Sequence, residues 1–251
     1  MKTIDKQEVS NAINQKSEQL GYELGSALSY NSFATLIAPE YPIAFVGLNP
    51  GGDKYDKPTV ESENGKCAYY YENWTAKGEN KKTPPDEKEL DPLQQQIIKL
   101  YTRLAEVFDC DYKTLMDKSI MANLVPFRSP NWNKLDNQSA ALEFSHQLWS
   151  EVLKQARVKV IICMSIVVFY ELDKILRGLG NASVSEESKS ESTGWGRTKY
   201  QIEKYIADDE SILLIRIPHL SRYKLFNSEK CTKAIDDIMA EIKQHMERFL
   251  S

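Results

Sequence analysis

The sequence predicts an α/β protein, a three-layer α/β/α sandwich around a central, mostly parallel sheet. Short runs rich in β-branched and aromatic residues alternate with longer segments whose apolar residues recur at helical spacing. The strand runs are apolar on both faces, which is typical of a parallel sheet covered by helices on each side. Capping residues mark where several helices begin.

The first forty residues are predicted to form two helices packed on the domain, and residues 41–251 a single α/β domain. The first strand is IAFVGL, which ends in the turn NPGG. Polar stretches typical of loops follow it. Asp91 then caps a helix whose first position is Pro92, because Asp favours the N-cap and Pro tolerates the first turn.

The second strand lies in SIMANLVPF, and the segment SAALEFSHQLWSEVLKQ is a helix. The third strand is VKVIICM, after which Ser165 caps a helix that stops around Gly178 to Gly180. The polar stretch NASVSEESKSESTGWG is predicted to be a solvated loop. TKYQIEKYIA and SILLIRIPHL are predicted to pair as strands, and an amphipathic helix closes the chain.

The charge, apolar runs and cysteine spacing of the chain argue against several classes of function. The chain has 251 residues and a net charge of −4, which argues against holding nucleic acid by bulk charge, although a local basic face stays open. The N-terminus is polar, and the longest apolar run is far shorter than the ~20 residues of a membrane span. We expect a cytoplasmic protein with no membrane partner. The four cysteines form no CxxC pair, so no metal or cofactor site is predicted.

Polar side chains stand at the predicted strand ends, where parallel sheets bind their ligands. Asn49 lies in a Gly- and Pro-rich turn, which turn formation alone would also explain. Asn123 is either a turn residue bonded to its own backbone or an amide suited to a nucleobase edge. His219 follows the last strand, whereas His146 and His245 lie in helical patterns.

The motifs GLNPG, NLVPF and HLSR, in this order, resemble the uracil-DNA glycosylase superfamily, which has a G-x-[DN]-P-[GY] motif and a C-terminal H-P-S motif. The Asn-Pro-Gly form is similar to the mismatch-specific and single-strand-selective branches. The resemblance covers roughly residues 41–250. It departs at Leu220, where the family usually has Pro, and in a longer stretch after Gly52.

The resemblance implies a monomeric DNA glycosylase that hydrolyses the N-glycosidic bond of uracil or a modified uracil during base excision repair, without a cofactor. The base is flipped into a pocket, and donors stabilise the charge that develops on it as it leaves. His219 would donate to the uracil O2, and Asn123 would read N3–H and O4. Asn49 would hold the attacking water, since an amide cannot act as a general base.

The same resemblance implies a base pocket lined by the backbone of Gly47 and Leu48. Tyr69 or Tyr70 would stack on the base, with packing at the edge of the core as the alternative for both. Phe127, close to Asn123 in the sequence, is a rival for this role.

Gly51 stands where the Asp-Pro-Tyr branch has a Tyr that excludes the thymine methyl group. We therefore expect tolerance of 5-substituted uracils.

The residues after His219 are expected to contact DNA. Arg222 and Lys224 suit phosphates, and Tyr223 or Leu225 would fill the gap left by the flipped base. Alternatively, the segment SRYKLF begins a surface helix, and Leu225 and Phe226 pack inward. The predicted DNA-contacting set is Ser221, Arg222, Tyr223 and Lys224.

Two other interpretations stay open. The first is a weak or inactive module of the same fold that binds nucleic acid or a protein partner, which the acidic balance, Leu220 and the long insert near residues 53–90 favour. The second is a small-molecule enzyme that binds a nucleotide at the strand ends.

Overall fold

The computed structural model describes residues 4–52, 59–62, 65–74, 89–179, 183–185, 188–207 and 210–250. The helices are α1 (Lys6–Leu20), α2 (Phe33–Ile37), α3 (Ala68–Tyr71), α4 (Pro92–Phe108), α5 (Tyr112–Lys118), α6 (Gln138–Gln155), α7 (Ile166–Gly178), α8 (Leu220–Tyr223) and α9 (Thr232–Leu250). The strands are β1 (Ile43–Gly47), β2 (Ile120–Asn123), β3 (Val160–Cys163), β4 (Ser183–Val184), β5 (Lys189–Ser192), β6 (Lys199–Ala207) and β7 (Glu210–Arg216). Short 3₁₀ helices cover Trp132–Lys134, Leu225–Asn227 and Glu229–Cys231.

The strands form one sheet in the order β2-β1-β3-β7-β6-β4, and β5 also pairs with β6. β2, β1, β3 and β7 run parallel to one another, and β6 runs antiparallel to β7. The predicted pairing of TKYQIEKYIA with SILLIRIPHL is therefore confirmed. The fold class is also confirmed as α/β with a central, mostly parallel sheet.

Strand β1 explains why both faces of this sheet carry helices. Its side chains are all buried and alternate between two apolar clusters. Ile43 and Phe45 pack with residues of α4 and α9, while Ala44 and Val46 pack with residues of α6 and α7. Each fully buried aliphatic or aromatic side chain of this size stabilises the fold by about 1.5–3 kcal/mol relative to exposure. Covering both faces thus follows from the two-sided apolar pattern.

Two predicted helix starts are confirmed by their hydrogen bonds. The Asp91 carboxylate accepts from the Leu93 N–H at 2.8 Å, and Pro92 is the first residue of α4. The Ser165 hydroxyl accepts from the Val167 N–H at 3.2 Å at the start of α7. These caps satisfy backbone donors that the first helical turn leaves unpaired.

Residues 25–31, between α1 and α2, run beside β2 in an arrangement that the sequence did not predict. Ser26 bridges Phe127 and Ser29 bridges Ala122, both antiparallel. The Asn123 N–H donates to the Leu28 carbonyl at 2.8 Å. The segment therefore covers the backbone edge that β2 would otherwise leave unpaired.

The stretch predicted as a solvated loop before β6 contains β4 and β5, so the loop prediction is wrong for those residues. Ser183 pairs with Ile206, and Lys189 to Ser192 pair with Ile202 to Lys199. All four residues of β5 are exposed and polar. Backbone pairing with β6 forms this strand. Its residues have no apolar face from which the sequence could predict a strand. Residues 181–182 and 186–187 of the stretch lie outside the described residues.

Candidate functional site

The carboxyl ends of β1, β2, β3 and β7 lie at one edge of the sheet because these strands are parallel; we call it the carboxyl edge. Asn123 is the last residue of β2 and pairs in register with Gly47, the last residue of β1. Asn49 follows β1, and His219 follows β7. Since β3 separates β1 from β7, the ends of β1 and β7 lie about 10 Å apart at ordinary strand spacing. The three predicted polar residues share an edge: Asn49 and Asn123 lie at the ends of neighbouring strands, whereas His219 follows a strand two positions from β1.

Asn123 is buried, with 2% of its surface exposed, and its carboxamide is held by the segment at residues 25–31. Its Nδ2 donates to the Ala27 carbonyl at 3.0 Å, and its Oδ1 accepts from the Tyr30 hydroxyl at 3.3 Å. A carbonyl can only accept, so the Ala27 oxygen fixes which end of the amide carries nitrogen. Burial raises the pKa of Tyr30, so its hydroxyl keeps the proton that it donates.

Gly47 leaves room for this amide. A Cβ at residue 47 would lie 2.9 Å from the Asn123 Oδ1. The carbonyls of Gly47 and Leu48 accept from Leu124 N and Val125 N, each at 2.8 Å. Leu48 is partly buried against the cluster that contains Val46. Of the two residues predicted to line a base pocket, Gly47 is the one that packs directly against Asn123.

Asn49 joins the loop after β1 to the loop after β2. Its Nδ2 donates to the Ser129 hydroxyl at 2.8 Å and to the Phe127 carbonyl at 3.3 Å. The Arg128 guanidinium donates to the Gly51 carbonyl, which ties the two loops together a second time. Among the described residues, no donor reaches the Asn49 Oδ1, so this oxygen is the atom that can accept from a water. Gly51 is exposed, and a Cβ there would meet nothing within 4 Å.

The aromatic candidates separate into different environments. The Tyr69 ring is buried, with its centroid 4.6 Å from that of Tyr30 and 5.1 Å from that of Trp74. The Tyr70 hydroxyl donates to Asp117 at 2.8 Å, away from this group. Tyr69 therefore belongs to the aromatic group that reaches Asn123 through Tyr30, and Tyr70 does not.

Phe127 is fully buried and lies in the core. Its ring centroid is 4.9 Å from that of Tyr22 and 5.6 Å from that of Phe144. It packs Tyr22, which follows α1, and Phe144 of α6 together in the core. No face of its ring is open to a stacked base.

His219 is exposed at the carboxyl edge, just before α8. Its Nδ1 lies 3.0 Å from the Ser221 hydroxyl. Desolvation by the surrounding protein lowers the pKa of His219, which favours the neutral ring. Where the Ser221 hydroxyl donates to Nδ1, the neutral ring carries its proton on Nε2 and can donate from there.

The segment after His219 presents two exposed cations. Arg222 and Lys224 are both exposed, and the Arg222 guanidinium lies 5.4 Å from the centre of the Tyr223 ring. Leu225 is only 3% exposed and packs into the cluster shared with α4 and α9. Leu225 therefore packs inward, as the alternative interpretation of this segment expects. Of the two residues predicted to fill the gap left by a flipped base, Tyr223 is the partly exposed one.

The sequence prediction missed Tyr30 and the Ala27 carbonyl, because it assigns residues 1–40 to two helices packed on the domain and none of them to the site. The sequence signal was weak: residues 26–30, SALSY, alternate small and apolar residues over a very short span.

Groups that hold metals show no clustering in the part of the chain that the structure describes: no three His, Cys, Asp or Glu residues converge there. Cys67, Cys163 and Cys231 are buried free thiols. Burial raises the pKa of Cys163 to about 12, and that of Cys67 also rises. The thiols of Cys67 and Cys163 are therefore unreactive in this conformation.

In the described segments, no helix has the length and apolar character needed to cross a bilayer. Comparison with protein-family models and with curated proteins finds no match to this chain. Inferences about function therefore depend on the residues at the carboxyl edge.

Proposed function

We propose that this chain is a DNA glycosylase that hydrolyses the N-glycosidic bond of uracil or a 5-substituted uracil in DNA, as a monomer without a cofactor. The proposal rests on one observation: three parallel strands deliver Asn49, Asn123 and His219 to the same edge of the sheet. Resemblance in the short motifs at these positions supports the choice of a nucleobase as the ligand.

Each residue has a role that its chemistry allows. Asn123 presents an amide whose orientation is fixed, suited to reading N3–H and O4 of a uracil ring. His219 is neutral and exposed, and donates to O2 as negative charge develops on the leaving base. Asn49 holds a water through its free Oδ1 while its Nδ2 stays bound to the neighbouring loop. Arg222 and Lys224 contact DNA phosphates beside the site.

One observation favours the second candidate, a nucleic-acid-binding module without activity. Asn123 has only 2% of its surface exposed, and both polar atoms of its amide already have protein partners. In that case the exposed cations after β7 bind the DNA backbone, and no base is excised.

A strand-nicking assay on single- and double-stranded oligonucleotides that contain uracil tests the proposal. The wild type is expected to generate alkali-labile sites, and His219→Ala to reduce the rate by about 100-fold or more, as loss of a donor to a developing oxyanion does. His146→Ala, on α6, is the matched control and should leave the rate unchanged. Salt-sensitive binding of the same oligonucleotides without nicking would reject the enzyme and support the binding module.

A further inference from the structure

The amide of Asn123 has hydrogen-bonding capacity that the described residues do not use. A carboxamide has two N–H donors and two lone pairs on its oxygen. One N–H is taken by the Ala27 carbonyl and one lone pair by the Tyr30 hydroxyl. A buried polar group with unused capacity is costly, so half of this amide is available to a ligand with a complementary edge.

The residues in contact with this amide differ in their exposure to solvent. Of the residues in contact with the amide, Ala27 and Gly47 are buried, while Tyr30 is partly exposed. Among these neighbours, the residue that solvent reaches is therefore Tyr30, and a ligand of the amide would displace its ring. Moving that ring requires no change in the sheet, because the Tyr30 N–H and carbonyl stay bound to Met121 and Ala68, each at 2.7 Å.

The Tyr30 side chain also has the shape and polarity of a bound base. It is a planar six-membered ring whose edge donates one hydrogen bond to the Asn123 Oδ1. One side of the ring faces Tyr69, at a centroid distance of 4.6 Å, and Trp74 lies 6.0 Å away. An imide ring in this place would give its N–H to the same oxygen, and its neighbouring carbonyl would take the unused N–H of Asn123.

We propose that the Tyr30 side chain occupies the base-binding position of the free protein, and that a neutral ring with an N–H beside a carbonyl displaces it. This inference rests on the proposed function for the choice of base, but it concerns binding only. Displacing the ring gives up a hydroxyl-to-amide bond that is long, at 3.3 Å, together with the ring's contacts with Tyr69 and Trp74. Tyr30 thereby sets which rings enter, because a ligand must replace both its hydrogen bond and its aromatic contacts.

Calorimetric titration with free bases tests this inference without requiring catalysis. The two probes are 1-methyluracil, which keeps the imide N–H, and 1,3-dimethyluracil, which has no ring N–H. Tyr30→Ala removes the competing ring and is expected to bind 1-methyluracil about tenfold more tightly than the wild type does, from the lost hydrogen bond and ring contacts together. Affinity for 1,3-dimethyluracil should stay low in both proteins.

Two controls make the result specific. Tyr170→Ala removes an exposed tyrosine on α7 and should leave both affinities unchanged. The double variant Tyr30→Ala with Asn123→Ala should lose the gain. If Tyr30→Ala does not fold, Tyr30→Phe keeps the ring and removes only the hydroxyl, and about threefold tighter binding is expected.

Equal or weaker binding of 1-methyluracil by Tyr30→Ala would overturn the inference, as would the absence of binding by every variant. Tighter binding without strand nicking would keep the inference and reject the glycosylase. Nicking by the wild type, without tighter binding of 1-methyluracil by Tyr30→Ala, would support the glycosylase and reject the inference. Tyr30 would then form part of the wall of the site.

Discussion

The Oδ1 of Asn123 lies 2.9 Å from the point that a Cβ on Gly47 would occupy. Gly47 has no left-handed φ, so the requirement for glycine here is steric and comes from the amide of the neighbouring strand. The last residues of β1 and β2 are thus fitted to each other.

Substituting Gly47→Ala is expected to destabilise the protein by about 1–3 kcal/mol, because the new methyl group forces the Asn123 amide or the strand to shift. Gly51→Ala is the matched control, since no atom lies within 4 Å of its added Cβ and its φ is not left-handed. Urea denaturation of both variants measures the free energies of unfolding. Equal free energies of unfolding for the two variants would show that the Asn123 amide or the strand shifts without loss of stability.

Ser129→Ala removes the acceptor that lies 2.8 Å from the Asn49 Nδ2. We expect a loss of about 1 kcal/mol in stability and a lower kcat with little change in KM, because a loosened Asn49 aligns its water less often. Ser139→Ala, at an exposed position on α6, should change neither. A rise in KM alone would indicate that Ser129 acts on DNA binding and not through Asn49.

Excision of 5-hydroxymethyluracil is expected to proceed at a rate close to that of uracil, because Gly51 leaves the space around it open. Gly51→Tyr should reduce excision of 5-hydroxymethyluracil relative to uracil by about tenfold, the scale on which a pocket rejects extra bulk. The measurement is the ratio of the two rates on otherwise identical oligonucleotides. If Gly51→Tyr leaves the ratio of the two rates unchanged, the 5-substituent does not lie beside Gly51.

His245 on α9 gives the fold an acid-sensitive point away from the carboxyl edge. Burial, assisted by the charges of Lys204 and Arg248, lowers the pKa of His245 to about 4, although main-chain contacts partly oppose the shift. The unfolded chain, with a histidine pKa near 6.5, therefore binds more protons between about pH 6.5 and pH 4. Stability from this group is present above that window and is lost as the pH falls through it.

His245→Leu should remove up to roughly 3 kcal/mol of the difference in unfolding free energy between pH 7 and pH 4. Urea denaturation of the wild type and the variant at both pH values measures it. The carboxylates contribute equally in the two proteins, so they cancel in the comparison. An identical pH dependence would mean that His245 is already protonated in the folded state.

The sequence was sufficient where local chemistry decides the structure. β1 and β3 are apolar on both faces, and Asp91 and Ser165 cap their helices through bonds to residues two positions away. Two-sided strands that alternate with helices are enough to predict a parallel sheet, and a parallel sheet is enough to predict a common edge for Asn49, Asn123 and His219.

The hydrogen-bond partners of Asn123 could not be predicted from local sequence patterns. Its hydrogen bond with Tyr30 joins residues 93 positions apart, and the pairing that creates it shows no local pattern. Strand β5 was missed for a related reason, since its exposed polar residues are held by backbone pairing with β6. Contacts that depend on pairing between distant segments are therefore hard to predict from the types of the residues involved.

The segment at residues 25–31 imposes an order on folding during synthesis. It is made early, but its contacts with β2 span 96 residues, as between Ala27 and Asn123. The nascent segment can bond with Thr59 and Ser62 early, but its β2 partner is missing until residues 120–127 have left the ribosome. Pairing over such a distance forms slowly, and until then both the segment and the edge of β2 are open to wrong strands. A shortened version of the chain that starts after residue 31 would keep that exposure permanently.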